Sequence, residues 1–304
     1  MKYVVTGGAG FIGSHIVGAL KESHEVTVID NFSSGKKENL EVVHDGITCV
    51  EGSITDLRLL RNVFEGADGV FHLAAIASVA RSVDDPLATH QTNLTGTLNV
   101  LLAARDCGVK KVVFSSSSAV YGDDPALPKR EDMPPSPLSP YAVSKLACEY
   151  YCTVFSDLFG VKTISLRYFN VYGPRQDPQG EYAAVIPKFI TRLLDKKAPL
   201  IFGDGKQTRD FVYVKDVVQA NIRAMQSPAT GKFNIGSGES TDLNTLADRI
   251  AGILKVSLPP VHEKPRSGDI RDSVSDITAA REAFGYRTHY SLDRGLEETI
   301  RWFS

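Results

Sequence analysis

The chain has 304 residues, 42% of them hydrophobic and 23% charged, with a formal net charge of −2. That is the balance of a soluble globular protein, long enough to bury a sizeable core in one large domain or two modest ones. It argues against nucleic acid or an anionic membrane as partner, while leaving room for a local basic site around a phosphorylated ligand.

Tyr3–Thr6 reads as a short buried strand. The apolar run is too short for a signal peptide or a membrane span, and glycines follow at once, so a cytoplasmic protein that begins with its first core strand is expected. Phe11–Leu20 reads as a helix opening on glycines. Glu25–Asp30, Ile47–Val50 and Val70–Leu73 read as the next three strands. Leu87–Arg105 is predicted as one long helix, with Leu94, Leu98, Leu101 and Leu102 as a packing stripe. A strand at Lys111–Phe114, a helix at Tyr141–Phe159 and a strand at Thr163–Leu166 follow. The stretch from Pro125 to Pro140 holds six prolines and reads as a loop. Repeated strand–helix units with apolar strands predict an α/β fold, a Rossmann-type doubly wound parallel sheet covered on both faces.

Beyond about Arg167 the pattern loosens and Gly and Pro become frequent. Helices are predicted at Ala183–Lys196, Lys215–Met225, Leu243–Leu254 and Leu292–Phe303. The expected division is a dinucleotide-binding domain over 1–167, with return segments from about 206–235, and a smaller, mainly C-terminal substrate domain over 168–304. No internal repeat stands out. Cys49, Cys107, Cys148 and Cys152 form no CxxC pair and have no His/Cys cluster near them. Four reduced, mostly buried thiols and no metal site are expected.

Thr6-Gly7-Gly8-Ala9-Gly10-Phe11-Ile12-Gly13 lies between the first strand and the first helix, with Gly7, Gly10 and Gly13 spaced GxxGxxG. Glycine allows a tight turn and lets a pyrophosphate approach the amides, and a helix N-terminus favours the negative charge. Asp30 ends the second strand, where a carboxylate accepts hydrogen bonds from the adenosine ribose hydroxyls and repels a 2′-phosphate. NAD is therefore expected over NADP. The plainer role for Asp30-Asn31 is a turn.

Tyr141 and Lys145 stand at i and i+4, on one helix face. Ser139-Pro140 supplies an N-cap and a first helical residue, and Gly160 a stop. The chemistry suited to such a pair is removal of an alcohol proton. A free tyrosine titrates near ~10, and lowering that by ~3 requires about 4 kcal/mol. A close ammonium and a positive nicotinamide in a poorly solvated site can provide it. The alternative is an ordinary helix with a partly exposed lysine. Ser115-Ser116-Ser117-Ser118 ends the preceding strand, and a serine there can donate to a substrate oxygen as its charge changes. Otherwise the run is a loop.

Taken in order, TGGAGFIGS (6–14), VIDN (28–31), HLAA (72–75), SSSSAVYG (115–122), YAVSK (141–145), RYFNVYGPRQDP (167–178) and RSGD (266–269) resemble the extended short-chain dehydrogenases/reductases. Within them the likeness is to the nucleotide-sugar epimerase/dehydratase family, over essentially the whole chain. The resemblance implies that Ser117, Tyr141 and Lys145 are catalytic. It implies that Gly7, Gly10, Phe11, Ile12 and Gly13 hold the pyrophosphate of NAD, and that Asp30, Asn31, Ser53 and Ile54 hold its adenosine. Leu73, Ala74, Ala75 and Asn93 would line the cofactor site, with Tyr168 and Phe169 on the nicotinamide side. Asn170, Val185, Phe202, Arg209, Arg266 and Asp269 would hold a nucleoside diphosphate, a ligand suited to arginine. One departure is Gly52-Ser53-Ile54, where the family usually has Gly-Asp-Ile or Gly-Asp-Leu. A homodimer through a four-helix bundle, built from the helices near 87–105 and 141–159, is also implied. His72 and His90 read as structural.

The family's 4,6-dehydratases carry an acid pair after the serine, and its decarboxylases usually a Glu at the position of Ala119. Ser117-Ser118-Ala119 has no carboxylate. The resemblance therefore implies a 4-epimerase acting on a UDP-sugar by transient oxidation at C4. Segment 167–189 resembles the UDP-hexose 4-epimerases, including those acting on N-acetylated sugars. In the family a residue four beyond the Asp of RSGD sets pocket size. Here it is Ser273, small enough for a 2-acetamido group. Another nucleotide-sugar reaction, such as epimerisation of a UDP-uronate or reduction of a keto-sugar, and a non-catalytic NAD-binding sensor are the alternatives.

Overall fold

Along the strands of the first half, successive apolar side chains go to two destinations. Tyr3, Val5, Val26, Val28, Phe71 and Val113 enter one core; Val4, Ile29, Val70, Val112 and Phe114 enter another. A pleated strand points neighbours to opposite faces, so a strand covered on both sides needs an unbroken apolar run. The computed structural model describes residues 1–41, 45–178, 184–265 and 270–304. In it, seven parallel strands form one sheet, in the order Gly231–Ile235, Lys162–Tyr168, Lys111–Ser117, Gly69–His72, Lys2–Thr6, Glu25–Asp30, Ile47–Glu51. Helices Phe11–Leu20 and Val214–Gln226 bury Ile16, Val17, Val217 and Ala220 on one face. Helices Leu57–Phe64, Gly96–Asp106 and Pro140–Phe159 bury Leu60, Phe64, Leu101 and Phe155 on the other. The fold is the expected doubly wound Rossmann type.

From Lys2–Thr6 the chain builds outward to Ile47–Glu51, then crosses back to Gly69–His72 on the other side. The order reverses there, and the carboxyl ends of those two central strands flank a crevice where loops diverge. Ligands of open α/β sheets bind in such a crevice. A third core, around Tyr172, Phe189, Leu193, Phe211, Leu246 and Ile300, gathers residues from the second half. Short strand pairs accompany it: Asn170–Tyr172 with Phe211–Tyr213, Thr208–Arg209 with Thr241–Asp242, and Leu200–Phe202 with Val261–Glu263. At two or three residues each they are too short to show a period in sequence.

The predicted helices Phe11–Leu20, Leu243–Leu254 and Leu292–Phe303 are found with those bounds. The helix predicted at Ala183–Lys196 is found at Val185–Leu194, and residue 183 lies outside the described residues. Leu87–Arg105 is not one α-helix. Pro86–Thr89 is α-helical, His90–Thr95 is a π-helix, and Gly96–Asp106 is α-helical again. The wider turn sets Asn93 inward, where its side chain accepts from Ile76 N at 2.8 Å and donates to Ile76 O at 3.1 Å and Ser144 Oγ at 3.0 Å. Side-chain bonds outside the helix thus accompany the change of pitch. Cys148 and Cys152 are buried as expected, but Cys49, on the edge strand Ile47–Glu51, is exposed and Cys107 is half-buried. No described helix is long and apolar enough to cross a membrane.

The helix Pro140–Phe159 has the ends its sequence predicts. Ser139 Oγ accepts from Ala142 N at 3.2 Å, Pro140 occupies the first turn, and Gly160 takes the left-handed conformation at φ 72°. Ion pairing then fixes the helix to the sheet. Arg167, fully buried, donates to both oxygens of Glu149 at 2.9 and 2.7 Å, and Glu149 Oε1 also accepts from Ser116 Oγ at 2.5 Å. Removing one partner of a buried pair leaves the other charge uncompensated, at a cost of about 3–5 kcal/mol. Glu149→Ala should therefore lower the unfolding free energy in urea by roughly that amount. A loss no larger than that of an exposed ion pair, under about 1 kcal/mol, would show that the pair is not the clamp.

Candidate active site

The first wall of the crevice is the glycine turn. Gly7 has φ 72°, and a Cβ there would stand 2.6 Å from Ala74 N on the facing strand end. A Cβ on Gly13 would stand 2.1 Å from Gly7 O. Only hydrogen fits at either position, so backbone meets backbone and the amides are bared. Ser14 N is bonded to Gly10 O at 3.0 Å, which leaves the amides of Phe11, Ile12 and Gly13 ahead of it without helical acceptors. Such a cradle suits a dinucleotide's pyrophosphate.

Asp30 is buried at the end of its strand. Its Oδ2 accepts from Ala9 N at 2.9 Å and its Oδ1 from Phe32 N at 2.8 Å, which ties the glycine turn to the ribose-side loop. Each oxygen keeps a lone pair, and Asn31 lies beside it on the wall. Ser53 is drawn into a local turn, its Oγ 2.8 Å from Thr55 Oγ1 and accepting from Thr55 N. Buried Ile54 packs under Gly96, with Asn99 Nδ2 donating to its carbonyl at 3.2 Å. The residue that replaces the usual acid therefore shapes the turn while backbone and Ile54 form the wall.

The chemical groups converge at the far end. Pairing of Lys111–Ser117 with Lys162–Tyr168 sets Ser117 beside Tyr168 and Ser115 beside Leu166. Lys145 Nζ donates to Ser115 O at 2.7 Å and lies 5.8 Å from the Tyr141 ring centre. Tyr141 N donates to Ser82 Oγ at 3.0 Å, fixing the start of its helix. Burial pushes the Tyr141 phenol above its ordinary value, and a hydrogen bond with Ser117 pulls it partly back. Burial also pushes the Lys145 ammonium down to about 8, against the opposing pull of Cys148, Cys152 and Glu149. The protein alone thus holds tyrosine neutral. A further positive charge beside the ring would pull the phenol down again.

One cleft of about 540 Å³ joins these parts. Gly7, Gly10, Phe11, Ile12, Gly13, Asp30, Asn31, Ser53, Ile54, Leu73, Ala74, Ala75, Tyr141, Lys145 and Tyr168 line it. Ser117 is not among the lining residues, and neither is Asn93, which stands behind the wall, holding Ile76. Phe169 packs instead with Val120 and Tyr121. His72 is structural, its Nδ1 2.7 Å from Thr6 Oγ1 and Nε2 2.9 Å from Thr97 Oγ1, with burial holding it near 3. Sequence reasoning missed Ser33, Ser34, Lys36, Arg81, Arg175 and Asp177 on the same walls. The signals were there in Ser33-Ser34-Gly35 after Asp30-Asn31 and in Pro174-Arg175-Gln176-Asp177, but loops carry no period to show which way they face.

Of the residues expected to bind the substrate, Asn170 and Arg209, for the nucleoside diphosphate, and Ser273, for the pocket size, are brought together. Asn170 N and Nδ2 donate to Asp210 O, Arg209 Nη1 donates to Thr208 O at 2.8 Å, and Ser273 N donates to that same carbonyl at 3.2 Å. Val185 opens its helix at the border of the third core, and Phe202 ends a strand paired with Val261–Glu263. None of the five lines the cleft. Arg266 and Asp269 lie outside the described residues. Buried Asp210 organises the patch, accepting from Ser237 N and Oγ, Gly238 N, and Ser275 N and Oγ.

A family model described as the NAD dependent epimerase/dehydratase family matches residues 3–236. The UDP-glucose 4-epimerase of Mycolicibacterium smegmatis is 43% identical over 310 residues, spanning 100% of this chain and 98% of that protein. A UDP-N-acetylglucosamine 4-epimerase from Methanobrevibacter ruminantium, solved with UDP-N-acetylmuramic acid, superposes with TM-score 0.97 at 43% identity, covering 99% of this chain and 97% of its own. The UDP-glucose 4-epimerase of Thermotoga maritima, solved with UDP-glucose, gives 0.96 at 43%, covering 100% and 98%. Sequence identity to these two epimerases is the same, 43%, so it does not distinguish their substrates.

Lys145 supplies a pH test of this arrangement. It is charged below about 8 and neutral above, so turnover should fall as pH rises through that region. The kcat–pH profile reads this directly. A rate that stays level there would show that the ammonium is not needed.

Proposed function

The chain belongs to the NAD dependent epimerase/dehydratase family, and within it we propose that it is a UDP-hexose 4-epimerase. It interconverts UDP-glucose and UDP-galactose, and takes UDP-GlcNAc and UDP-GalNAc as well. Residues 1–167, with return segments from about 206–235, form the cofactor domain, and 168–304 are mainly the nucleotide-sugar domain. The observation that carries the reading is the distribution of acids. Among the described residues of the cleft wall, only Asp30 and Asp177 bear carboxylates. Asp30 accepts from backbone at the ribose end, and Asp177 pairs with Lys36 at 3.2 Å. Neither stands beside Ser117 and Tyr141, where elimination of water would need an acid and a base.

When bound, NAD supplies an acceptor for the hydride of sugar C4 and a donor that returns it to the opposite face. The chain's own residues handle protons and position. Tyr141 takes the proton of the 4-hydroxyl and gives it back after the 4-keto sugar has turned. Lys145 stabilises the phenolate while it exists. Ser117 donates to the sugar oxygen as its charge changes. Asn170, Val185, Phe202, Arg209, Arg266 and Asp269 hold the nucleoside diphosphate throughout the turn, so that binding energy resides away from the reacting carbon. Ser273 leaves room for the 2-substituent.

The test is a panel of UDP-glucose, UDP-galactose, UDP-GlcNAc and UDP-glucuronic acid with products read by NMR. Conversion of the hexoses to their 4-epimers is expected. Conversion of the uronate alone would overturn the proposal, and inert UDP-GlcNAc beside active UDP-galactose would refute the wide pocket. Tyr141→Phe should lower kcat by about 10²–10⁴-fold, the range of a positioned acid–base group; unchanged activity would show the base to be misassigned.

A homodimer through the Tyr141 helix belongs to the same proposal. Val143, Tyr150, Val154 and Leu158 are exposed along it, and Val79, Val83 and Leu87 nearby. Spacings of seven, four and four put the first set on one stripe, apolar surface that a second helix pair would cover. Leu158→Glu should shift the sedimenting species from dimer to monomer; a wild-type chain that sediments as a monomer would remove the interface.

A further inference from the structure

Arg175 sits on a segment to which the mechanism above gives no role, and two links hold that segment against the cofactor side. His15, on the helix that follows the glycine turn, donates from Nε2 to Pro174 O at 2.9 Å; burial holds its imidazole down to about 4, so the ring is neutral with its proton on Nε2. On the other flank, Asp177 pairs with Lys36, whose own N–H donates to Ala9 O within the glycine turn at 3.0 Å. Arg175 lies between these anchors and lines the same cleft as Gly10, Phe11, Ile12 and Gly13. Its backbone is in the left-handed region at φ 67°, which non-glycine residues seldom adopt.

The guanidinium is not satisfied there. Nη1 is buried and has no hydrogen-bond partner among the described residues. Burial moves the group downward, and no carboxylate among the described residues opposes it. A desolvated cation with an unused donor calls for an anion, and a planar guanidinium fits phosphate oxygens. The helix N-terminus offers roughly half a positive charge to a dinucleotide's pyrophosphate, which carries two negative ones.

We infer that Arg175 binds the pyrophosphate of the bound dinucleotide, closing on it from across the cleft while the glycine-turn amides hold it from below. The inference rests on the cofactor reading of the cleft. It makes the retention of NAD depend on the segment Pro174–Asp177, which the pair Lys36–Asp177 and the His15 bond hold in place.

The experiment is NAD binding by titration calorimetry to protein freed of dinucleotide, with UDP binding measured beside it. Arg175→Met should weaken NAD by about 10- to 100-fold, the range of a charge-assisted hydrogen bond, and change UDP affinity less than twofold. Arg175→Gly relieves the backbone while removing the donor. Without ligand it should melt no lower than wild type, yet gain a smaller rise in melting temperature from NAD. Salt should weaken NAD binding to wild type more steeply than to either variant. Wild-type protein that binds no NAD would sink the cofactor reading itself. Normal NAD affinity in both variants would overturn the inference alone, as would a loss confined to UDP, which would assign the guanidinium to the substrate.

Discussion

Among the described residues Arg167 is the largest side chain that the fold hides completely, and the geometry around Tyr141 and Ser117 depends on its bond to Glu149. Glu149 stands one turn beyond Lys145 on the helix that carries Tyr141. Arg167 stands one residue before Tyr168 on the strand beside Ser117. The pair therefore joins the helix and the strand that face each other across the chemistry, and Ser116 adds a bond from the strand between them. Tyr121 lies against the guanidinium at 4.7 Å and passes the tie on through its hydroxyl to Asn234 Oδ1 at 2.6 Å. A carboxylate shared between a hydroxyl and a bidentate arginine has little freedom to move, so three serines on one strand end acquire three separate duties. Ser115 offers its carbonyl to Lys145, Ser116 anchors to Glu149, and Ser117 is left facing Tyr141.

That rigidity sits beside an energetic demand the protein does not meet alone. Burial holds the tyrosine proton on and weakens the lysine's hold on its own. Both trends oppose a phenolate–ammonium pair. The dry environment that sets them also magnifies the influence of any charge brought in.

What was legible in the sequence was what is local. Glycine spacing in the first turn, Asp30 at a strand end, and Ser139, Pro140 and Gly160 around the Tyr141 helix each act within a few residues, and each is found where the sequence predicts it. The π-helix at His90–Thr95 was invisible because its partners, Ile76 and Ser144, lie 17 and 51 residues from Asn93. Pairing of Glu149 with Arg167 was hidden for the same reason: either alone is an ordinary charged residue. Helices Leu57–Phe64 and Val79–Asp84 are capped by Asp56 and Ser78 but run to only eight and six residues, about two turns, so each offers little periodic pattern. The wall residues Lys36, Arg175 and Asp177 are set by loops, whose direction follows from contacts and not from pattern.

The order of strands in the sheet also bears on how the chain is made. Six of the seven strands lie within the first 168 residues, and the seventh, Gly231–Ile235, is added at the edge beyond Lys162–Tyr168. On a ribosome, the edge next to Arg167 stays open while the intervening segment is synthesised. Asn234, on that final strand, is what receives the Tyr121 hydroxyl and also donates to Lys129 O at 2.8 Å. Completion of the reacting end therefore waits on a residue some ninety positions after Tyr141 (on the order of several seconds at translation speeds of about 5–20 residues per second). A nascent chain stopped before it carries Ser117, Tyr141 and Lys145 yet lacks the strand that braces them.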